Sequence, residues 1–195
     1  FTVDDAYRML ALGVDGVMIG RGALRDPWLL HRLRRRHRGE PPAQIGFREE
    51  RHNPMFKEPM VLSGHLEYLD SGVLRKVVET PFMEDLLVED NRVVVTRDGK
   101  TRKLSLNRSR ALKTILGAIE AVLAGDQARL EASFQCDVSG EADAWTLQMT
   151  PLEKRVAKRL TSIEVAGNAQ AVMGIRITLP NDEWHQMQIG DDLAE

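Results

Sequence analysis

The stretch from Asp15 to Trp28, DGVMIGRGALRDPW, has the residue types and spacing of a phosphate-binding turn. Val17, Met18 and Ile19 read as a strand that ends in Gly20-Arg21-Gly22 and enters a helix, so unpaired backbone amides would point at a phosphate. The flanks sharpen a pattern that is weak alone: Asp4 to Leu12 reads as a short amphipathic helix, Gly13 as its stop and Asp15-Gly16 as the strand entry. No other catalytic constellation is present. His31, His37, His52, His65 and His185 are scattered, with no HExxH motif, no Cys-His metal spacing and no GxSxG elbow. Cys136 stands between Gln135 and Asp137, without a basic neighbour to stabilise a thiolate. Glu49-Glu50-Arg51-His52 reads first as a solvated segment on a strand or its lead-in, and Asp90-Asn91 and Asp98-Gly99 as turn chemistry.

The elements that position these residues divide the chain. Gly39-Glu40-Pro41-Pro42 ends any helix and begins a polar link. We therefore expect a first segment over 1–42, a linker over 43–46 and a domain over 47–195. In that domain the dominant period is two. Met60, Leu62, Leu66 and Tyr68 fall on one face of a strand with Ser63, His65 and Glu67 on the other, and Gly64 sits where a sheet bends. Asp70-Ser71-Gly72 turns into a return strand over Val73–Thr80, closed by Pro81. Short strands are expected at Asp85–Glu89, Arg92–Thr96 and Arg102–Leu106, then at Ala144–Thr150, Leu160–Ala166, Ala171–Leu179 and Glu183–Ile189. One clear helix interrupts them over Ser109–Ala124, with Leu112, Ile115, Leu116, Ile119, Val122 and Leu123 at helical spacing and Gly125 as its left-handed stop. Asp126 caps a shorter helix expected to end near Phe134. The fold class is α+β, mainly β: a curved antiparallel sheet packed on a helix, preceded by a helix-strand-helix fragment.

Composition bounds the function classes. The chain has 195 residues, 43% of them hydrophobic, and a formal net charge of −2, which argues against general polyanion binding. Arg34-Arg35-Arg36-His37-Arg38 is a local basic run that reads as a solvated helix face or linker, so no nucleic acid is expected as a partner. One cysteine excludes an intramolecular disulfide. No apolar stretch approaches the roughly 18 residues of a membrane-spanning helix. The chain opens on Phe1 without a charged-then-apolar signal segment, and reads as a piece of a longer product.

Two family resemblances follow. The words DGVMIGRGAL and PW resemble the last βα unit of the flavin-dependent tRNA-dihydrouridine synthases, over about the first forty residues. That resemblance implies a fragment of a (β/α)8 barrel, in which Gly20, Arg21 and Gly22 would be a vestigial FMN phosphate turn. A whole barrel takes about 250 residues, so the fragment is read as inactive; FMN, a nucleic-acid partner and a cytoplasmic location are expected only under the alternative that the chain is the tail of such an enzyme.

Over residues 46–190, Phe47-x-Glu49-x-Arg51, Pro59-Met60-x-x-Ser63-Gly64-x-Leu66-x-Tyr68, Leu86-x-Val88, Ala124-Gly125-Asp126 and Trp145-x-Leu147-x-Met149-Thr150-Pro151 together resemble the LolA-like outer-membrane lipoprotein carriers. This implies an incomplete antiparallel β-barrel around helices, a non-enzymatic periplasmic role carrying acyl chains of lipids or lipoproteins, and an inner-membrane donor and outer-membrane acceptor as partner proteins. A buried arginine of that family ties helix to barrel through backbone carbonyls; Arg51 is a candidate for that role, which the loose match there does not assign. The lining positions expected are Leu62, Leu66, Tyr68, Val77, Leu86, Trp145, Leu147 and Met149 from strands, with Leu112, Ile115, Leu116 and Ile119 from the helix. Alternation shows that a face is apolar without showing that its space is empty, so a closed core and an open cavity both stand. Met60, Met149, Met173 and Met187 suit either.

Overall fold

The computed structural model describes residue 8 and residues 43–68, 73–89, 91–141, 143–168, 171–190 and 193. The phosphate turn at Gly20, Arg21 and Gly22, the basic run at 34–38 and the turn at Asp70-Ser71-Gly72 lie outside the described residues.

Strands β1 (Ala43–His52), β2 (Met60–Tyr68), β3 (Leu74–Thr80), β4 (Glu84–Glu89), β5 (Arg92–Arg97), β6 (Lys100–Ser105), β7 (Phe134–Glu141), β8 (Ala144–Pro151), β9 (Ser162–Gly167), β10 (Val172–Thr178) and β11 (Trp184–Ile189) form one sheet. Every pairing is antiparallel. The 11-stranded order is β6-β5-β4-β3-β2-β1-β11-β10-β9-β8-β7, a meander whose first and last strands meet in the middle. Its edges, β6 and β7, are neighbours in sequence but stand at opposite ends of the sheet. The chain between them is helical: a 3-10 turn over Leu106–Arg108, then α1 (Arg110–Ala124) and α2 (Gln127–Glu131). A single-turn helix, α3 (Lys154–Ala157), links β8 to β9. The result is a mainly β fold, an open curved antiparallel sheet with few helices.

Local chemistry accounts for the bends and ends. The register slips between Ser63 and Gly64, a bulge that bends β2 against β3. A Cβ at Gly64 would lie 2.0 Å from the Val77 carbonyl oxygen, so this approach requires glycine. The Ser109 hydroxyl accepts from the Leu112 amide at the start of α1. At the other end Gly125 takes φ 63°, and the Asp126 amide donates to the Ala121 carbonyl.

Two expectations are corrected. Residues 43–46, expected as a linker, are the first residues of β1, where Gln44, Ile45 and Gly46 stand opposite Glu67, Leu66 and His65. Helix α2 ends at Glu131, not near Phe134, which opens β7 opposite Pro151. Leu130 and Phe134 are four apart, a helical spacing, but the ladder with β8 satisfies backbone groups that a second helical turn would leave to solvent. Both side chains are buried all the same.

Candidate functional site

Pleating sends alternate side chains of a strand to opposite faces, and ladder register carries that alternation across the sheet. The face bearing Phe47 also bears Glu49 and Arg51, and the pairs Glu49↔Leu62 and Ile45↔Leu66 add Leu62 and Leu66. Lys76 stands opposite both Leu66 and Leu86, which adds those side chains. In the other direction Glu49↔Met187, Met187↔Ile175, Ile175↔Val165 and Val165↔Leu147 bring in β11 to β8. This is the inner face, because Met149, Ile163 and Val165 on it cluster with Ala118 and Ala121 of α1.

The structure thus brings Leu62, Leu66, Leu86, Trp145, Leu147 and Met149 onto one face, and Tyr68 holds a register position of the same face opposite Ala43 and Leu74. Val77 does not belong there. It pairs with His65 and Asp85 on the convex face, while its neighbour Val78 turns inward and is fully buried beside Phe47 and Leu62. Adjacent residues of a strand cannot share a face, and the regular register from Leu74↔Tyr68 to Val78↔Gly64 decides which valine faces in.

The two halves of the inner face are filled differently. Beneath α1, residues Ile115, Ala118, Ala121 and Val122 pack with Leu130, Phe134, Met149, Ile163 and Val165 as a closed core. Trp145 and Leu147 border it, and the Trp145 indole donates to the Asn168 carbonyl at 2.8 Å. Over β1 to β5 the buried cluster comprises Phe47, Leu62 and Val78, with Leu66, Phe82 and Met187 against it. Leu86, Val88 and Val95 are half-buried and belong to neither cluster. The same holds for Leu112, Leu116 and Ile119, a stripe of α1 distinct from the one that Ile115 shares with the core. The choice between closed core and open cavity is therefore divided between the halves. Met149 is core, Met187 is half-buried on the smaller cluster, and Met60 and Met173 are exposed.

A polar cluster lies in this apolar surface. Glu49, 4% exposed, accepts from Arg51 Nε at 2.9 Å and Nη2 at 3.2 Å, and from Lys76 Nζ. The Lys76 ammonium sits 4.5 Å from the Phe47 ring centre, and His185 Nδ1 is 3.7 Å from the carboxylate. Burial alone would raise the Glu49 pKa, but the Arg51 and Lys76 interactions outweigh it and hold the carboxyl below its ordinary value. Burial lowers the Lys76 pKa, and burial followed by the Arg51 charge lowers that of His185. The expectation of a solvated segment at Glu49–His52 fails for Glu49. The usable signal was there: Glu49 and Arg51 are two and four residues from Phe47, hence on its face. Arg51 bonds a carboxylate rather than the backbone carbonyls that the carrier resemblance implied.

The convex face is a different surface. Arg75 donates to Asp85 at 2.9 and 2.5 Å and to Glu67 at 3.0 Å, which Gln44 also reaches at 2.7 Å. These ion pairs border a shallow depression of about 310 Å³ lined by Arg75, Asp85, Leu87, Val94 and Thr96. The Cys136 thiol is half-buried, and burial followed by the charges of Glu131 and Asp137 raises its pKa, which favours the thiol over the thiolate. Among the described residues no group of three or more His, Cys, Asp and Glu is placed to hold a metal ion, and no helix is long and apolar enough to cross a membrane.

Residues 21–187 match the model of a family described as outer membrane lipoprotein carrier protein LolA-like. That interval overlaps the first segment of the sequence reading, since it opens at Arg21. No curated protein matches the chain. Among solved structures, a LolA superfamily protein from Nitrosomonas europaea is similar at 10% identity, over 76% of this chain and 83% of that one, with a TM-score of 0.36. The Mycobacterium tuberculosis lipoprotein LppX is similar at 8% identity, over 85% and 94%, with a TM-score of 0.40. The Pseudomonas aeruginosa MucA/MucB complex is similar at 15% identity, over 82% and 53%, with a TM-score of 0.40.

Proposed function

The chain belongs to the LolA-like outer-membrane lipoprotein carrier family, and on that premise we propose that it binds acyl chains of lipids or lipoproteins on the open half of its inner face and carries them through the periplasm toward the outer membrane. The observation behind this reading is the apolar surface left half-covered: Leu86, Val88 and Val95 on the sheet and Leu112, Leu116 and Ile119 on α1 join neither buried cluster. Each methylene moved from water onto such a surface gains about 0.8 kcal/mol, so a chain of a dozen carbons binds without any catalytic group. The role is non-enzymatic, with a donor protein at the inner membrane and an acceptor at the outer. In this reading the part of the first segment ahead of the family match, which opens at Arg21, is an inactive flavoenzyme fragment; flavin absorbance near stoichiometry in the purified protein would contradict that part alone.

Titration of the full chain with a fluorescent fatty-acid analogue tests the carrier role. Saturable one-to-one binding that palmitate displaces, weakened by Leu86→Glu, supports it. An absence of saturable binding, together with no co-purified lipid by mass spectrometry, sinks it.

A further inference from the structure

Charge is divided unevenly between the two faces of the sheet. By register the inner face of β7 to β10 carries no charged side chain. The inner face of β1 to β6 and β11 carries the cations Arg51, Lys76, Arg97, Lys100 and Arg102 against the carboxylates Glu49 and Glu84. On the convex face carboxylates outnumber cations, with Glu67, Asp85 and Glu164 among them, and the whole chain is at −2. The inner excess is thus a local arrangement and not a basic protein's background.

Part of it has a simpler cause. Lys100 and Arg102 are exposed on β6, an edge strand, where cations discourage pairing with another chain. Arg97 is committed to the Phe82 ring at 3.6 Å and to Asp98. Arg51 and Lys76 have no such explanation. Both bond the one carboxylate of Glu49, and Lys76 also feels the charge of Glu84, so the positive charge left without a second anion is that of Arg51, within an apolar surface where a charge interacts more strongly than in water. The Arg51 side chain is 32% exposed, and its Nη1 makes no hydrogen bond among the described residues. Leu62 stands opposite Glu49, and Leu66 and Leu86 flank Lys76, so the apolar floor begins at the cluster.

We propose that the Glu49–Arg51–Lys76 cluster receives the anionic group of an amphiphile, a phosphate or carboxylate borne on an acyl chain that lies along the half-buried Leu66 and Leu86. The proposal rests on the acyl-carrier reading and names the ligand class of that same surface. The anion takes the free edge of the Arg51 guanidinium and balances its charge. Neutral lipids lack this contact and bind by their chains alone.

The test is competition against a bound fluorescent acyl probe on the full chain at low salt, with dodecyl phosphate, dodecanol and inorganic phosphate as competitors. Dodecyl phosphate is expected to bind about tenfold tighter than dodecanol, the worth of one charge-assisted hydrogen bond at a partly solvated site, and the gap to narrow as salt rises. Arg51→Gln should close most of that gap and Arg51→Lys restore part of it, while Arg48→Gln on the convex face leaves it unchanged. Equal affinities in the wild type, or a gap that survives Arg51→Gln, overturn the anionic site and leave the carrier reading standing. Displacement by inorganic phosphate at the same concentration overturns the amphiphile in favour of the bare anion. Failure of both amphiphiles to compete removes the carrier reading along with the site.

Discussion

Replacing Glu49 by Gln keeps the side-chain volume and removes the carboxylate bonded to both Arg51 and Lys76. Side-chain exposure is 5% for Glu49, 11% for Lys76 and 32% for Arg51. Lys76 would become a nearly buried cation without its bonded anion, and breaking a buried pair from one side costs about 3–5 kcal/mol. Arg51 is a third exposed and water replaces much of its pairing, so the low end applies, about 3 kcal/mol. Lys76→Met keeps an apolar stem over Phe47 and leaves Glu49 bonded to Arg51, for a cost of about 1 kcal/mol. The double variant removes the stranded cation with its partner, so it should be more stable than the sum of the singles by about 2 kcal/mol. Urea unfolding of the four proteins, followed by far-ultraviolet circular dichroism, measures each corner of this cycle. A cycle additive within about 0.5 kcal/mol, or a Glu49→Gln protein as stable as the wild type, would refute the argument that Glu49 balances a buried charge.

Further outcomes follow from close contacts and titrating groups. Gly64→Ala places a Cβ 2.0 Å from the Val77 carbonyl oxygen and should cost about 2 kcal/mol as the bulge opens, read as a lowered melting temperature. Gly167→Ala places a Cβ 2.3 Å from Trp145 Cζ2, so the ring must shift and strain its bond to Asn168; a loss of about 1–3 kcal/mol and a changed tryptophan emission are expected, and an unchanged spectrum would contradict the contact. His185 has a pKa below its ordinary 6.5 when folded, so its contribution to stability is complete above pH 6.5 and is lost as pH falls through the folded value. His185→Gln should flatten the fall in melting temperature from pH 7 to 5. The separate loss from Glu49, whose pKa is held below 4.5, should persist at lower pH. An identical slope in wild type and variant would contradict this role of His185.

Much of the sheet was legible because period two survives where one face is apolar and the other polar, as in Met60 to Tyr68 and Trp145 to Met149. Helix α1 was legible from its apolar spacing and its two caps, Ser109 and Gly125. Strand β7 was obscured by Leu130 and Phe134, whose spacing fits a helix until β8 offers a ladder. The inward valine of Val77 and Val78 could not be chosen from the sequence, because the pairing of β3 with β2, in register from Leu74↔Tyr68 to Val78↔Gly64, sets the phase. At Glu49-Glu50-Arg51-His52 adjacent charges suggested solvent, yet alternation sends Glu50 and His52 outward and Glu49 and Arg51 into the lining, where Lys76, 25 residues on from Arg51, meets them only through the fold. Which apolar side chains fill a core and which are left uncovered was settled by packing between α1 and the strands, and alternation does not encode it.

The central claim is that acyl chains lie on the open half of the inner face. Photo-crosslinking of the full chain with a diazirine-bearing fatty acid, followed by peptide mapping, tests it most directly. Labels are expected on the strands of Leu66 and Leu86 and on α1 at Leu112 to Ile119, competed away by palmitate. Labels confined to the convex face around Val77, Leu87 and Val94, or spread evenly over both faces and indifferent to palmitate, would contradict it.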